Sequence, residues 1–142
     1  MKIDFKKIGF RGYISSSHIN GNCIPQHVQN IVIRDYAEKN NLLYKLSASE
    51  YIIENCTMIL ENLTYELNKI EGIIFYSIFQ LPNDNLYRKT FYKSIIDNNA
   101  SLHCAVEGMC LNKNIDIIKW EEILKLNRII PNEIEEIKNG IY

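Results

Sequence analysis

The stretch that most constrains the fold of this chain is GIIFYSIF, residues 72–79, a nearly continuous apolar run that begins at Gly72 and ends shortly before Pro82. A run of this kind is typical of a central strand covered on both faces, because a strand with one solvent face alternates apolar and polar residues. Helices supply such cover when they join parallel strands. The run therefore predicts an α/β protein with a mainly parallel sheet.

Strand-like and helix-like segments alternate along the rest of the chain. We predict strands at 8–14, 42–48, 72–79 and 101–107, and helices at 25–40, 56–70, 83–98, 114–127 and 131–140. The last two helices are separated by Pro131, which disfavours a continuous helix. The expected architecture has three layers, with a mainly parallel four-stranded sheet and helices on both faces. The 142 residues suit a single domain, with an α/β core at about 8–110 and a helical segment at 111–142.

The charge and the motifs of the chain argue against several classes of partner. Sixteen basic and 17 acidic residues give a net charge of −1, and the basic residues are scattered, so we expect no nucleic-acid partner. No stretch reaches the roughly 18 apolar residues of a membrane helix. The four cysteines form no CxxC pair, and neither a dinucleotide-binding glycine motif nor a metal-ligand spacing is present. We expect a reduced cytoplasmic protein with no cofactor and no metal ion.

The triple serine Ser15–Ser17, which follows the first predicted strand, raises the question of nucleophilic chemistry. A serine nucleophile needs an adjacent base, and His18 and His27 are close in sequence, but no acid partner is evident. The loop also lacks the glycine spacing of phosphate-binding loops. The alternative is a polar strand end whose serines cap the following helix, and we favour it over catalysis.

The predicted helix at 25–40 presents amides and an arginine on one face. Gln26, Asn30 and Arg34 are spaced four residues apart, so they lie on the same side of the helix. Such groups suit sugar hydroxyls, a phosphate or a carboxylate. A solvated helix face is an equally good interpretation.

Further candidates follow the other strands, where α/β sheets bind their ligands. Glu50 could serve as a general base, or it could pair with Arg34 or Arg11. Tyr76 could act as a general acid or stack on a sugar, although core packing is the better expectation for it. A histidine such as His103, in an apolar strand, is more often a core residue than a ligand.

These observations give two sets of candidate site residues. The candidate catalytic residues are Ser17, His27, Glu50 and His103. The candidate substrate-binding residues are Arg11, Ser15, Ser16, Gln26, Asn30, Arg34, Tyr76, Ser77, Gln80, Arg88 and Glu107.

The order of the elements resembles the catalytic domain of serine recombinases of the resolvase and invertase type, over about residues 8–110. That family opens with a strand carrying Tyr-x-Arg-x-Ser, and YISSS (13–17) stands in that place, with Ser17 at the position of the nucleophile. The arginines that hold the scissile phosphate in that family fall here on neutral residues, namely Ser15, about Cys56, Gln80 and Asn83. Phosphoryl transfer depends on stabilising charge on the phosphoryl oxygens. The resemblance implies a resolvase-like fold, and the missing arginines argue against DNA recombination.

A second resemblance covers most of the chain and is to small bacterial proteins called sporadic carbohydrate cluster proteins. The matching stretches are RGYI (11–14), PQHVQNIVIRDYAEKNNL (25–42), LSASEY (46–51), YSIFQLP (76–82) and SLHCAVEG (101–108). This resemblance implies a place in surface-polysaccharide or unusual-sugar biosynthesis, and it assigns no catalytic residues.

Together these features lead to two functional expectations. The first is a protein that binds or transforms a sugar or sugar nucleotide at the carboxyl edge of the sheet, by non-redox chemistry if it is an enzyme. The second is a non-catalytic relative of the recombinase fold that serves as a binding or assembly partner of other carbohydrate-cluster enzymes. We also expect a homo-oligomer.

Overall fold

The computed structural model describes residues 6–16, 19, 21–53 and 56–140, with side chains described up to residue 127. The elements in chain order are β1 (Phe10–Ile14), α1 (Gln26–Lys39), β2 (Tyr44–Ser49), α2 (Met58–Tyr65), β3 (Gly72–Phe75), a 3₁₀ turn (Ile78–Gln80), α3 (Asn85–Asp97), β4 (Ser101–Cys104), β5 (Met109–Leu111) and α4 (Asn114–Gly140). The chain divides into a sheet-containing unit, residues 1–112, and a helical unit, residues 113–142.

The sheet contains five strands within the described residues, in the order β2-β1-β3-β4-β5. β1 pairs in parallel with β2 and β3, β3 pairs in parallel with β4, and β5 runs antiparallel to β4. The α/β class and the mainly parallel sheet are confirmed, but the predicted count of four strands is wrong. The fifth strand has only three residues, too few to show a periodicity. It follows a turn in which Gly108 adopts a φ of 64°, and this turn ends β4 before residue 107.

Apolar side chains pack on both sides of the central strands. The face that α1 covers holds a core cluster formed by Phe10, Ile14, Ile33, Ala37 and Ile74. On the other face the ring of Tyr13 lies 4.8 Å from that of Phe75, and Phe75 lies 6.1 Å from Phe91 of α3. In the first unit, α1 contributes Ile33 and Ala37 to the core cluster, and α3 contributes Phe91 to the packing on the other face.

The end of β3 differs from the prediction in a way that matters for the site. The strand stops at Phe75 rather than at residue 79, because Ser77 begins a capping box. The Ser77 hydroxyl accepts a hydrogen bond from the Phe79 N–H at 3.2 Å, and the Ser77 N–H donates to Gln80 Oε1 at 3.1 Å. Ser77 and Gln80 therefore lie in a turn beyond the strand end, at the carboxyl edge of the sheet.

The second unit contains one long helix rather than two short ones. α4 runs from Asn114 to Gly140, so the predicted break at Pro131 is wrong. A proline inside a helix removes one backbone hydrogen bond at a cost of about 3 kcal/mol, and the surrounding turns can offset that cost. In the part of the chain that is described, no helix is long and apolar enough to cross a membrane.

Candidate functional site

A cavity of about 1040 Å³ opens where β1, β2 and β3 end. Its walls are the loops that follow these three strands, together with Thr57 and Tyr87 at the first turns of α2 and α3. The volume lies just above the range of about 300–1,000 Å³ that is usual for small-molecule sites. We call this space the carboxyl-edge cavity.

Glu50, immediately after β2, lines the cavity and is only 5% exposed. Its Oε2 accepts hydrogen bonds from the Tyr13 hydroxyl at 2.8 Å and from the Leu60 N–H at 3.2 Å. The donors to its Oε1 are the N–H groups of Ile59 at 3.1 Å and Tyr51 at 3.2 Å, and the Cys56 thiol at 3.4 Å. The carboxylate thus caps the start of α2, where backbone N–H groups have no partner within the helix.

These hydrogen bonds decide the charge of Glu50. Burial raises its pKa, but the hydrogen bonds from Ile59, Tyr13, Leu60 and Tyr51 outweigh burial and leave the pKa below its ordinary value. Burial, the hydrogen bond to Glu50 and its charge raise the pKa of Tyr13 far above the ordinary value. At neutral pH Glu50 is therefore ionised and Tyr13 protonated. A carboxylate with five donors is suited to holding α2 and β1 together rather than to accepting another proton.

A chain of amides joins α1 to the ends of β1 and β3. Gln29 is fully buried, and its Oε1 accepts from the Ser15 N–H at 3.1 Å and from Gln80 Nε2 at 2.9 Å. Its Nε2 donates to the Ser15 carbonyl at 2.6 Å. The same row of hydrogen bonds continues from Gln80 to Ser77, whose hydroxyl donates to Glu107 Oε1 at 2.6 Å. The cavity wall is therefore fixed by side chains from three segments that are distant in sequence.

Gln29 and Tyr13 are the important residues that the sequence analysis did not select. Both were visible in the sequence, Gln29 on the polar side of the first helix and Tyr13 in the first strand. Nothing in the pattern separates a fully buried amide such as Gln29 from a half-buried one such as Gln26, whose Nε2 donates to Ser16 Oγ at 2.6 Å. Only the tertiary structure makes the distinction.

Four of the residues selected from the sequence line the cavity, namely Ser15, Ser16, Glu50 and Gln80. Gln26, Ser77 and Glu107 support it through the hydrogen bonds described above. Ser17, the candidate nucleophile, lies outside the described residues. His27 is exposed near the start of α1 and is not among the described residues that line the cavity, so it does not converge on Glu50.

Three selected residues lie on the α1 side of the sheet instead. Asn30 Oδ1 accepts hydrogen bonds from the Tyr44 hydroxyl and the Ser47 hydroxyl, each at 2.7 Å. The exposed Arg34 places its guanidinium 5.3 Å from the centre of the Tyr44 ring. Tyr76 packs against the core cluster beneath α1, which agrees with the core role expected for it.

The two selected arginines at the strands and at α3 bind groups of the protein itself. Arg11 Nη1 lies 2.7 Å from Glu66 Oε2, and its Nε donates to the Leu46 carbonyl at 2.6 Å. Arg88 is 3% exposed and donates to the carbonyls of Pro82 at 2.9 Å and Asn83 at 3.2 Å, and to Asn85 Oδ1 at 2.5 Å. Both guanidiniums therefore hold the chain in place, and neither is among the described residues that line the cavity.

His103 lies on the face of the sheet opposite to Tyr13. Its Nδ1 is 2.7 Å from the Tyr36 hydroxyl, and its Nε2 is 3.0 Å from Ser101 Oγ. Its ring meets that of Phe10 edge to face at 5.3 Å. Burial lowers the pKa of His103 to about 4, so the side chain is a neutral core residue at physiological pH.

The charged side chains of the cavity are acidic. Glu50 and Asp84 line it, whereas no lysine or arginine does so among the described residues. Asp84 Oδ1 accepts from the N–H groups of Leu86 at 2.9 Å and Tyr87 at 3.4 Å and thereby caps α3. The described residues contain no group of three or more His, Cys, Asp or Glu side chains that could hold a metal ion.

Solved structures share the fold, among them two that cover most of this chain. A resolvase family site-specific recombinase from Streptococcus pneumoniae matches with a TM-score of 0.65 and 11% identity, over 95% of this chain and 97% of that one. The N-terminal catalytic domain of TP901-1 integrase matches with a TM-score of 0.60 and 10% identity, over 86% of this chain and 97% of that one. No protein-family model and no curated protein matches the sequence.

These comparisons confirm the resolvase-like fold and leave the function open. At 10% and 11% identity a structural likeness shows the fold alone, because one fold hosts many functions. The resemblance to sporadic carbohydrate cluster proteins receives no support from them. The chain therefore has the fold of a serine recombinase catalytic domain, with an acidic, hydroxyl-rich cavity at the carboxyl edge of its sheet.

Proposed function

We propose that this chain binds a sugar, free or as the sugar part of a nucleotide sugar, in the carboxyl-edge cavity, and that it acts in surface-polysaccharide or unusual-sugar biosynthesis. The observation that carries the proposal is the make-up of the cavity wall, where hydroxyl and amide groups stand beside aromatic rings. Sugars need both, because their hydroxyls require hydrogen-bond partners and their C–H faces pack on rings. The biosynthetic setting rests on the sequence resemblance to carbohydrate cluster proteins.

Specific side chains of the wall support this choice. The Ser16 hydroxyl accepts a hydrogen bond from Gln26 and keeps its own proton for donation to a ligand. Tyr51 is 53% exposed, and Phe79 and Tyr87 are half-buried, so their rings can offer faces to a sugar. The hydrogen bonds of Glu50 and of the amide chain also tie β1, α1, α2 and the turn after β3 together before a ligand arrives. A preformed site loses less entropy on binding.

The same wall argues against DNA cleavage. A scissile phosphate needs cationic or strongly donating groups around its oxygens, and the described cavity wall offers two carboxylates and no lysine or arginine. We therefore propose that the recombinase fold serves a different ligand in this chain.

A second candidate function is that of an assembly partner for other enzymes of a carbohydrate cluster. It is favoured by three consecutive apolar residues at the cavity rim, Tyr51, Ile52 and Ile53, which are 53%, 83% and 64% exposed. Met58 nearby in sequence is 58% exposed. Apolar groups in such a row are typical of protein contact surfaces.

A thermal-shift screen against neutral sugars, amino sugars, sugar phosphates and nucleotide sugars tests the proposal. We expect saturable stabilisation by at least one class, because a ligand that binds only the folded state raises the melting temperature. The stabilisation should fall in Ser16→Ala and persist in the control Arg34→Ala, which lies outside the cavity.

Three other outcomes would contradict the proposal. If Arg34→Ala abolished the stabilisation, the ligand would bind on the α1 side of the sheet rather than in the carboxyl-edge cavity. Binding of duplex DNA that weakens steeply with salt would restore a nucleic-acid role. No shift with any sugar, together with a stable complex with a carbohydrate-cluster enzyme, would favour the assembly role.

A further inference from the structure

The start of α2, where an anionic ligand could bind, is already filled by the protein's own carboxylate. Free N–H groups at a helix N-terminus attract phosphates. Here the Ile59 and Leu60 N–H groups donate to Glu50 at 3.1 and 3.2 Å. A phosphate at this position would have to displace a buried carboxylate that Tyr13 also binds.

The start of α3 is occupied in the same way. Asp84 Oδ1 accepts from the Leu86 and Tyr87 N–H groups, and the hydrogen bonds of the described residues leave Asp84 Oδ2 for a ligand. Each helix end contributes about half a positive charge, and each carboxylate contributes a full negative one. The cavity wall therefore keeps a net negative charge after both helix ends are counted.

The surrounding sequence does not offset this charge. The described segments 15–16, 50–53, 56–57 and 79–87, which supply nearly all of the described cavity wall, contain no lysine or arginine. The guanidinium of Arg88, the next residue, donates to the loop carbonyls and to Asn85. The rings of Tyr51 and Tyr87 add faces that attract cations.

We infer that the ligand of the carboxyl-edge cavity carries a cationic nitrogen, so that its class is an amine-bearing sugar rather than a phosphorylated or acidic one. This inference rests on the proposed function and narrows its substrate class. The ammonium group would lie by Asp84 Oδ2, and the hydroxyls would lie by Ser16 and Gln80.

A matched series of monosaccharides separates the effect of ligand charge on affinity from the effect of ligand shape. The probes are D-glucosamine, D-glucose, D-glucuronate and D-glucose 6-phosphate, titrated by calorimetry at low ionic strength and at a pH about one unit below the pKa of the amine. We expect D-glucosamine to bind about fivefold more tightly than D-glucose, with both anionic sugars weaker than D-glucose. Equal affinities, or tighter binding of an anionic sugar, would overturn the inference and leave sugar binding standing. No binding by any sugar would overturn the proposed function as well.

A pair of variants tests whether the preference for D-glucosamine depends on Asp84. Asp84→Asn removes the charge but keeps a good helix cap, so α3 should remain folded. We expect it to weaken D-glucosamine binding about fivefold and to weaken D-glucose binding by a clearly smaller factor. The control Asp97→Asn removes the same charge from the exposed opposite end of α3 and should change neither affinity. An equal effect of both variants on D-glucosamine, or no effect of either, would contradict the assignment to Asp84.

Discussion

Glu50 and His103 are both buried and titratable, yet the fold holds one charged and the other neutral. Glu50 accepts hydrogen bonds from five donors, which more than offset the cost of burying its charge. Among the described residues, the hydrogen-bond partners of His103, such as the Tyr36 hydroxyl, are neutral, so burial dominates and the pKa of His103 falls to about 4. Burial alone therefore does not set the charge of a group; the donors around it decide.

The two regions also differ in what they open onto. Glu50 lies beside the carboxyl-edge cavity, with the exposed Tyr51 next to it. His103 is enclosed by the rings of Phe10 and Tyr36, whose centres lie 5.3 and 5.5 Å from its own. Both residues are candidates for catalysis by sequence, and the structure links only Glu50 to a place where a ligand could bind.

Removing the Glu50 carboxylate should produce the largest loss in the free energy of unfolding. Glu50→Ala leaves the Tyr13 hydroxyl and the N–H groups of Ile59 and Leu60 without their acceptor inside the protein. We expect the free energy of unfolding in urea to fall by about 4 kcal/mol. The control Glu38→Ala, at an exposed position of α1, should change it by less than about 0.5 kcal/mol. Similar values for the two variants would show that the hydrogen bonds to Glu50 do not hold α2.

Acidification should lower the free energy of unfolding through His103 at a higher pH than through Glu50. Between pH 6.5 and about 4 the unfolded chain binds a proton at His103 that the folded chain does not bind, so stability falls as the pH falls through this range. The difference between these two pKa values corresponds to about 3 kcal/mol. Glu50 has the lowered pKa of an ionised carboxylate, so its contribution is present above the ordinary carboxyl pKa and is lost only below it.

His103→Gln isolates the histidine contribution, because glutamine does not titrate. Urea unfolding at several pH values between 7.5 and 4 (a span of about 3.5 units, chosen to cover both pKa values) should show a much flatter profile for this variant than for the unchanged protein. An identical slope in both proteins would mean that His103 takes up its proton in the folded state as readily as in the unfolded one.

The amide chain should contribute less than Glu50, since its members are uncharged. Gln29→Leu leaves the Ser15 N–H, the Ser15 carbonyl and the Gln80 amide without their buried partner. We expect a loss of about 2 kcal/mol in the free energy of unfolding, and weaker sugar binding because the cavity wall loosens. Unchanged stability would indicate that the interior tolerates these groups unpaired or that water replaces the amide.

The smallest effect should come from the exposed side of α1. Arg34→Ala removes the contact between the guanidinium and the Tyr44 ring. Exposed contacts of this type contribute about 0.5 kcal/mol, so the midpoint of urea unfolding should hardly move. Sugar binding should stay the same, and a clear loss of binding would restore the role that the sequence analysis gave to Arg34.

The order of the helices and strands can be predicted from the sequence, and so can the edge of the sheet where polar residues lie, because both follow from local patterns. The apolar run at 72–79 and the helical spacing at 25–40 each identify an element without any knowledge of the fold. Which polar residue faces the cavity depends instead on contacts between distant segments. Arg11 pairs with Glu66, 55 positions away, and no local pattern announces that pairing. For the same reason, the hydrogen bond between Gln29 and Gln80, which are 51 positions apart, could not be predicted from the sequence.

The central claim is that the carboxyl-edge cavity, rather than the α1 side of the sheet, receives an amine-bearing sugar. The most direct test is a titration of ¹⁵N-labelled protein with D-glucosamine, followed by amide chemical shifts. The account predicts saturable changes at Ser16, Tyr51, Gln80 and Asp84, with the amides of Arg34 and His103 unmoved. Changes centred on Arg34 or His103, or cavity changes produced by D-glucose 6-phosphate or duplex DNA and not by D-glucosamine, would contradict it.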